Sequence, residues 1–383
     1  MKILTAYSRD PDDPEKAVED ILGQLDLENR LLKNSAALLF CHTEFIKLGV
    51  AEALCKKLPF ETAGCSSQCF AVNSAADEIL LSLTVFTGDD MEFALGISEP
   101  LTEDAETRME DAYRKTAASL SAGPSLIFAL EPLMTSMGGD TITAALDRAS
   151  GGDIPIFGTC AMDSGTKIRD PETFYQGKAY RDRTALLLIS GPVKPRFFSA
   201  LYPDKSVFAQ DATITGARDN LIQSINNIPA LAYLEKVGIA HRGGGIDVIP
   251  LLIDYGGAEE PEIIIMKEFT PEGALICSRK VQTGGFLNIG STTADFVLET
   301  AAALCKNIRK DPDHSALFMF SCFSRNLALG DPMAETGVIQ RELKDLPIPY
   351  VFCYSGGEIC PQYTGPGETV NKFHQYALIA CLL

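Results

Sequence analysis

Apolar residues come in short runs separated by amphipathic stretches, and the same succession appears three times along the chain. The run 36–41 (AALLFC) predicts a buried strand, which is followed by apolar positions at helical spacing, by a turn of small residues and by another strand over 78–86. Similar successions occupy 125–190 and 316–382. The pattern predicts three related β-α-β-β units, and we take duplication as a hypothesis for their origin.

Further elements precede the second and third units. A strand over 91–97 and a helix over 103–121 stand before the second unit, and a helix capped by Thr292 stands before the third. The strands expected between these units are 246–254, 262–269 and 273–278. Strands that alternate with helices are typical of layered α/β proteins, and strand pairs around Gly273 and Gly285 add antiparallel members. We therefore expect layered mixed β-sheets flanked by helices, in a four-layer α-β-β-α arrangement with two central sheets.

One short passage is the best candidate for a linker. Residues 191–196 (GPVKPR) contain two prolines and one glycine. They divide the chain into an N-terminal α/β domain over 1–190 and a C-terminal α/β domain over 197–383. A chain of 383 residues is expected to form two or three compact units, at about 150 residues per domain.

Acidic residues outnumber basic ones. The chain has 33 Lys and Arg against 51 Asp and Glu, a formal charge of -18, which repels phosphate backbones and anionic lipid, so no nucleic-acid partner is expected. Its longest apolar stretches, such as 185–189 and 263–266, are far shorter than the roughly 20 residues that cross a bilayer, so no membrane insertion is expected. The eleven cysteines lie mostly in apolar runs and residues 1–5 show no secretory leader, which predicts a cytoplasmic protein.

Turns of small residues end strands in all three units. Gly64, Cys65 and Ser66 form the first turn, and the others are 158–161 (GTCA) and 355–358 (SGGE). In an α/β sheet such turns let backbone N–H groups approach a ligand, and ligands bind in crevices outside strand ends. Three such turns favour a shared cleft, and tight strand termination without any ligand is the alternative.

A polar cluster follows the first strand of the third unit. In 322–326 (CFSRN), Arg325 offers a planar fork that suits a carboxylate, and its neighbours add donors and acceptors. A small anionic molecule fits this chemistry. The alternative is that Arg325 pairs with Glu335, ten residues later, and holds the loop before the next helix.

Polar residues also gather near the C-terminus, in a stretch rich in Gly and Pro. They are Tyr354, Glu358, Tyr363, Asn371 and His374. The sequence predicts a long loop here between two apolar strands, and such loops are uncommon unless they bind something, although ordinary surface is the alternative. We interpret His374 as a solvated or core-edge histidine because no partner lies near it in sequence.

The spacing of the cysteines and histidines gives little support to a metal site or to a nucleophilic cysteine. No cysteine pattern matches a zinc or cluster motif, so no metal site is expected. Cys65 or Cys322 would need an acidic thiol and a base to act as a nucleophile, and buried hydrophobes are the default reading of both. The tripeptide 42–44 (HTE) lacks a PCxxC partner, and 243–245 (GGG) lacks a Walker lysine.

Several of these motifs together resemble the FIST family, the tandem N- and C-terminal FIST domains of signal-transduction proteins. The N-terminal likeness rests on the strand that ends at Cys41, on 63–67 (AGCSS) and on 156–165 (IFGTCAMDSG). The C-terminal likeness rests on 320–325 (FSCFSR), Glu335, 354–361 (YSGGEICP) and Asn371. The resemblance covers nearly the whole chain.

The resemblance implies a sensory module that binds a small ligand, with amino acids the proposed class. Similar proteins are often joined to kinase, cyclase or chemotaxis output domains. For a chain of this length the resemblance implies a separate signalling protein as its output partner, or a ligand bound for some other purpose. The family commonly has Gly at the positions of Phe323 and Ser324 and a threonine-like residue at that of Ser355. The lining of the pocket is therefore expected to differ here.

We expect a small-molecule-binding sensory protein without a cofactor, whose ligand is an amino acid or related small carboxylate. In this hypothesis Arg325 holds the carboxylate, Glu358 holds the ammonium, and backbone groups near the turns complete the site. The other candidate residues are Cys322, Tyr354, Gly357, Asn371, Gly64, Cys65 and Ser66. Two alternatives stay open: a cysteine-dependent enzyme acting in the same interdomain cleft, and a haem-based sensor. The candidate axial ligands for haem are His42, His241, His314 and His374.

Overall fold

Three units with one order of elements make up most of the protein. The computed structural model describes residues 1–102, 104–134, 136–163, 171–201, 207–239, 249–256, 261–311, 314–365 and 368–383. Each unit runs strand, helix, strand, helix, strand, hairpin, strand. This confirms the related units that the apolar pattern predicts, and it confirms the layered mixed α/β class.

The first two units follow each other directly. The first consists of β1 (Lys2–Ser8), α1 (Pro14–Leu25), α2 (Leu27–Arg30), β2 (Asn34–Cys41), α3 (Thr43–Lys47), α4 (Val50–Lys57), β3 (Thr62–Ser66), the hairpin β4 (Phe70–Val72) and β5 (Ala75–Asp77), and β6 (Leu81–Gly88). The second consists of β7 (Glu92–Ile97), α5 (Ala105–Ala117), β8 (Leu126–Glu131), α6 (Gly139–Ser150), β9 (Ile156–Cys160), the hairpin β10 (Thr173–Tyr175) and β11 (Lys178–Tyr180), and β12 (Ala185–Ser190).

The third unit begins with β13 (Arg196–Ala200) and is then interrupted by an insertion. The insertion consists of β14 (Val207–Arg218), β15 (Leu221–Ile225), β16 (Ile228–Pro229), α7 (Ala230–Lys236), β17 (Pro250–Asp254), β18 (Glu262–Phe269), β19 (Leu275–Cys277) and β20 (Phe286–Gly290). The unit continues with α8 (Ala294–Ile308), β21 (Leu317–Cys322), α9 (Phe323–Leu327), α10 (Ala334–Glu342), β22 (Tyr350–Ser355), the hairpin β23 (Glu358–Gly365) and β24 (Glu368–His374), and β25 (Leu378–Leu382).

The units exchange their hairpins in a cycle. Each unit forms a sheet from four of its own strands, in the orders β1-β6-β2-β3, β7-β12-β8-β9 and β13-β25-β21-β22, and the hairpin of another unit extends each sheet beyond its parallel strand pair. The first hairpin joins the third sheet, the second joins the first sheet, and the third joins the second sheet. Residues far apart in sequence therefore meet at the ends of β3, β9 and β22.

The described sheets of the three units surround one shared core, so the arrangement with two central sheets is wrong in its number of sheets. Phenylalanines from all three inner faces meet there, as in Phe86 with Phe318 (5.6 Å between ring centroids), Phe128 with Phe318 (5.1 Å) and Phe40 with Phe320 (5.4 Å). Helices cover the outer faces. The central strands are continuously apolar because both of their faces are buried. Each of the three units contributes one sheet, so three sheets and not two surround the core.

The insertion forms a sheet of its own with a separate core. Its strands pair in the order β14-β20-β17-β18-β19-β15-β16, and an additional pairing of β14 with β15 closes the ring. The antiparallel pairing of β18 with β19 confirms the strand pair predicted around Gly273. Leu252 of this insertion packs on Tyr376 of the third unit.

Several predicted boundaries shift because caps and long-range pairing decide them. The side chain of Asp104 caps α5, which ends at Ala117 rather than at 121. Thr293 rather than Thr292 caps α8, by accepting a hydrogen bond from the N–H of Phe296. The predicted C-terminal loop is wrong, since this stretch forms the hairpin β23–β24, which pairs with β9.

The division into domains 1–190 and 197–383 stays a prediction. Strand pairing crosses it, since Val72 of β4 lies opposite Val351 of β22, and Ile359 of β23 lies opposite Gly158 of β9. In the described ranges, no helix combines the length and the apolar character that a membrane span needs.

Candidate functional site

The ends of the second parallel strand of all three units meet. The N–H of Met162, after β9, donates to the carbonyl of Ser66 at the end of β3 (2.8 Å). The N–H of Gly356 donates to the carbonyl of Cys160 (3.1 Å). The small-residue turns predicted from the sequence are thus joined directly by backbone hydrogen bonds.

Glycine is required at position 64, where β3 lies close to its neighbours. A Cβ atom on Gly64 would overlap the carbonyl oxygen of Leu39 and the ring of Phe174. We expect Gly64→Ala to lower the free energy of unfolding by about 1–3 kcal/mol, the usual penalty of overpacking. The matched control is Gly23→Ala in α1, where a Cβ meets nothing within 4 Å and a gain in stability is expected. Urea unfolding of both variants measures the difference, and equal midpoints would contradict this account.

Arg325 is buried and bound to Glu335. Its Nη2 lies 2.7 Å from Oε1 of Glu335 and also donates to the carbonyl of Val297 and the hydroxyl of Thr300, both in α8 (3.1 Å each). Both side chains of the pair are fully buried. The structural role considered for Arg325 is therefore present, and the guanidinium joins α8, α9 and α10.

Glu358 lies on the other side of β21. Ser321 donates to Glu335 on the outer face, whereas the next residue, Cys322, lies beside the carboxyl group of Glu358. Burial raises the pKa of Glu358 well above its usual value. Its Oε1 has no well-formed hydrogen bond to any described residue. The structure therefore does not place Arg325 and Glu358 on one face, as a shared zwitterion requires.

The remaining predicted residues do not form one pocket. Cys65 faces the shared core, and the hydroxyl of Ser66 accepts a hydrogen bond from the N–H of Glu172 (2.9 Å). The N–H of Gly357 donates to the hydroxyl of Ser355 (3.0 Å). Tyr354 faces outwards, with its ring 6.4 Å from that of Phe323.

Asn371 fixes the third hairpin to the second unit. Its Oδ1 accepts from the N–H of Ile156 (2.8 Å), and its Nδ2 donates to the carbonyl of Ile154 (2.8 Å) and to Asp147 (2.7 Å). This is a structural role that the loop prediction missed, because the partners of Asn371 lie more than two hundred residues away.

The cysteines lack the acidic thiol that a nucleophile needs. All eleven are free. Burial raises the pKa of the thiols of Cys65 and Cys322 well above the ordinary value, which is the opposite of the shift that the enzyme hypothesis requires.

The histidines have other partners or lie outside the described residues. Burial lowers the pKa of His374 to about 4, and its Nε2 lies 3.1 Å from the carbonyl of Cys360, so His374 is a core histidine. His42 caps α3, and His314 lies 3.2 Å from Asp311. His241 lies outside the described residues, as do 243–245. The part of the chain that the structure describes contains no group of three or more His, Cys, Asp or Glu side chains placed to hold a metal ion.

An open cleft of about 470 Å³ lies between the first and third units. His42, Gln68 and Glu78 contribute to it from the first unit, and Phe323 and Asn326 contribute from the third. It therefore joins the stretch after the AGCSS turn to the CFSRN cluster, two of the motifs that carry the family resemblance. We call it the strand-end cleft, and its volume lies within the usual range for small-ligand sites.

The electrostatic environment of the strand-end cleft is negative. Burial, and then the charges of Glu78, Asp331 and Asp77, raise the pKa of the Cys69 thiol to about 12. No Lys or Arg occurs among the described residues that line the cleft. Burial lowers the pKa of His42, so its imidazole is neutral at neutral pH.

The backbone of Cys69 is in the left-handed region, with φ of 54°. Few residues other than Gly, Asn and Asp adopt this conformation, and such strain concentrates at functional sites. The N–H of Cys69 donates to the carbonyl of Glu78, and the hydroxyl of Thr336 donates to the carbonyl of Cys69. Sequence reasoning missed Cys69 and Glu78 as cleft residues because they lie in different elements. It named His42 only as a candidate haem ligand and as part of the tripeptide 42–44, and Asn326 only as part of the CFSRN cluster.

These features describe an α/β protein of three interlocked units with a ligand-sized cleft at the ends of its strands. The family model of the FIST N domain matches residues 35–228, and that of the FIST C domain matches residues 228–361. The chain therefore belongs to the FIST family, whose domains are associated with sensory signal transduction. The resemblance stated from the motifs is confirmed.

Comparisons with individual proteins show less. No curated protein matches the chain. The solved structure of PurLQS from Thermotoga maritima is similar to it with a TM-score of 0.20 and 8% sequence identity, over 99% of this chain and 71% of that one.

Proposed function

We propose that this protein is a sensory module that binds a small ligand in the strand-end cleft and passes the signal to a separate protein. The observation that carries the proposal is the position of the cleft at the ends of strands from two units. Buried polar and aromatic side chains line it. Ligands of α/β proteins characteristically bind outside the ends of parallel strands. The free thiols suit a reducing compartment, and a cytoplasmic location belongs to the same proposal.

The chemistry of the cleft favours a ligand that carries an ammonium group. The exposed carboxylates of Glu44 and Glu78 lie at its rim, and the amide groups of Gln68 and Asn326 lie deeper. A carboxylate attracts an ammonium, and an amide N–H can donate to a carboxylate. Amino acids are the proposed ligand class. In this proposal Glu78, and not Glu358, pairs with the ammonium group.

Calorimetric titration tests this ligand class. The panel holds amino acids, their N-acetyl derivatives and the amines that lack the carboxylate. We expect free amino acids and amines to bind and the N-acetyl derivatives to fail, because acetylation removes the positive charge. Equal binding of an amino acid and its N-acetyl derivative would exclude ammonium recognition, and no heat for any compound would count against the proposed ligand class.

Glu78→Gln identifies the site of binding. We expect it to weaken the binding of the best amino acid or amine about tenfold, since a charge-assisted contact is replaced by a neutral one. The matched control is Glu28→Gln, the same change at an exposed position in α2 outside the cleft. An equal affinity of both variants would place the ligand elsewhere.

A further inference from the structure

A second cavity, of about 860 Å³, lies where β22 begins, at the end of this strand opposite to the strand-end cleft. Side chains from β1, from the turn between β4 and β5, from α10 and from the segment before β22 line it. We call it the basal groove. It uses none of the residues that line the strand-end cleft.

The polar floor of the basal groove is held in place by hydrogen bonds. Asn73 donates from Nδ2 to the hydroxyl of Thr5 (2.8 Å), and its Oδ1 accepts from the N–H of Tyr350 (3.0 Å). The hydroxyl of Tyr350 donates to the carbonyl of Asn73 (2.6 Å). Gln340 donates to the carbonyl of Ser74 (2.9 Å). The floor is therefore rigid before any ligand arrives.

The charges of the basal groove oppose those of the whole chain. Its lining includes Arg30, Arg341 and Lys344 and, among the described residues, no Asp or Glu, although the chain carries a formal charge of -18. Neither Arg30 nor Lys344 forms an ion pair with a described residue, and Arg341 has only an exposed contact to Glu342 at 3.4 Å. Arg341 lies in the last turn of α10 and Arg30 in the last turn of α2, where cations complement the helix dipoles. The dipoles do not explain why cationic side chains from two different units line one groove.

Apolar residues form another part of the wall. Leu343, Leu346 and Ile348 line the groove beside the cationic side chains. Arg and Lys bind phosphate oxygens, so the cationic part of the groove suits a multiply charged anionic group. The apolar wall suits an apolar or aromatic moiety of the same ligand, which is shielded from water when it packs there.

We propose that the basal groove is a second binding site, which takes a phosphorylated small molecule such as a nucleoside diphosphate. Isothermal titration of the full chain with inorganic pyrophosphate and with ADP tests it at low ionic strength. We expect both to bind, and we expect ADP to bind more tightly because its adenosine moiety also packs against the apolar wall. We expect the double variant Arg341→Glu/Lys344→Glu to weaken ADP binding at least tenfold.

The matched control is Lys178→Glu/Lys194→Glu, which makes the same change of charge at two exposed positions outside the groove. A loss of affinity confined to the groove variant supports the site. An equal loss in both variants would show general attraction of polyanions and overturn the proposal. Binding of an acidic peptide in place of pyrophosphate and ADP would overturn it as well, since the groove would then serve a protein partner. Leu346→Ser, which keeps the charges, is expected to reduce binding of ADP but not of pyrophosphate.

Discussion

Replacing Arg325 by Met is expected to lower the free energy of unfolding by about 3–5 kcal/mol, the usual loss when one partner of a buried ion pair is removed. The variant leaves the carboxylate of Glu335 without a counter-charge at a position from which water is excluded. It also removes the hydrogen bonds from Arg325 to Val297 and Thr300, which join α9 to α8. Urea unfolding monitored by circular dichroism measures the loss.

The double variant Arg325→Met/Glu335→Leu distinguishes a structural role from ligand contact. Because apolar residues of similar size often replace a buried ion pair without loss, we expect it to recover most of the stability of the native protein. Ligand binding in the strand-end cleft should then survive. Native stability in the single variant together with loss of ligand binding would instead show that Arg325 holds the ligand, as the sequence hypothesis had it.

Replacing Glu131 by Gln is expected to remove a large part of the pH dependence of stability. Burial, opposed by a hydrogen bond from Thr143 and reinforced by the charge of Asp140, raises the pKa of Glu131 to about 8 from 4.5. The unfolded chain loses this proton near pH 4.5, whereas the folded chain keeps it until about pH 8. The stabilisation by the protonated group is therefore complete below pH 4.5 and is lost as the pH rises through 8, by on the order of 5 kcal/mol in total.

Urea unfolding between pH 5 and pH 8 measures this contribution. An amide at position 131 still accepts a hydrogen bond from Thr143 and carries no charge to bury. The free energy of unfolding of the variant should therefore increase steadily with pH relative to that of the native protein. The exposed Glu106→Gln supplies the control, for which no such gain is expected. Parallel stability curves for the native protein and Glu131→Gln would show that Glu131 is already ionised in the folded state.

The repeated order of elements was predictable because the central strands are buried on both faces. Runs such as those in β2, β8 and β21 are continuously apolar, and this signal is local. The exchange of hairpins was not predictable, since β4 pairs with β22 almost three hundred residues later. That exchange determines which strand ends meet, so the sequence predicted a shared end of the sheets but not its lining.

For individual site residues, too, contacts between neighbours in sequence were predictable and contacts between distant residues were not. The pairing of Arg325 with Glu335 was foreseen as an alternative because the two are ten residues apart. The faces of Cys322 and Ser321 follow from strand alternation once the strand is known, and this separates Glu358 from Arg325. Glu78 carries no recognisable motif, and its place at the cleft depends wholly on tertiary structure.

The structure of the protein with its best amino acid or amine ligand bound tests the central claim most directly. The account predicts the ammonium group within about 4 Å of the carboxylate of Glu78, the ion-pair distance, with the body of the ligand against Phe323 and the pair of Arg325 and Glu335 intact. A ligand carboxylate bound to Arg325 in place of Glu335, or a ligand seated away from the strand-end cleft, would contradict it.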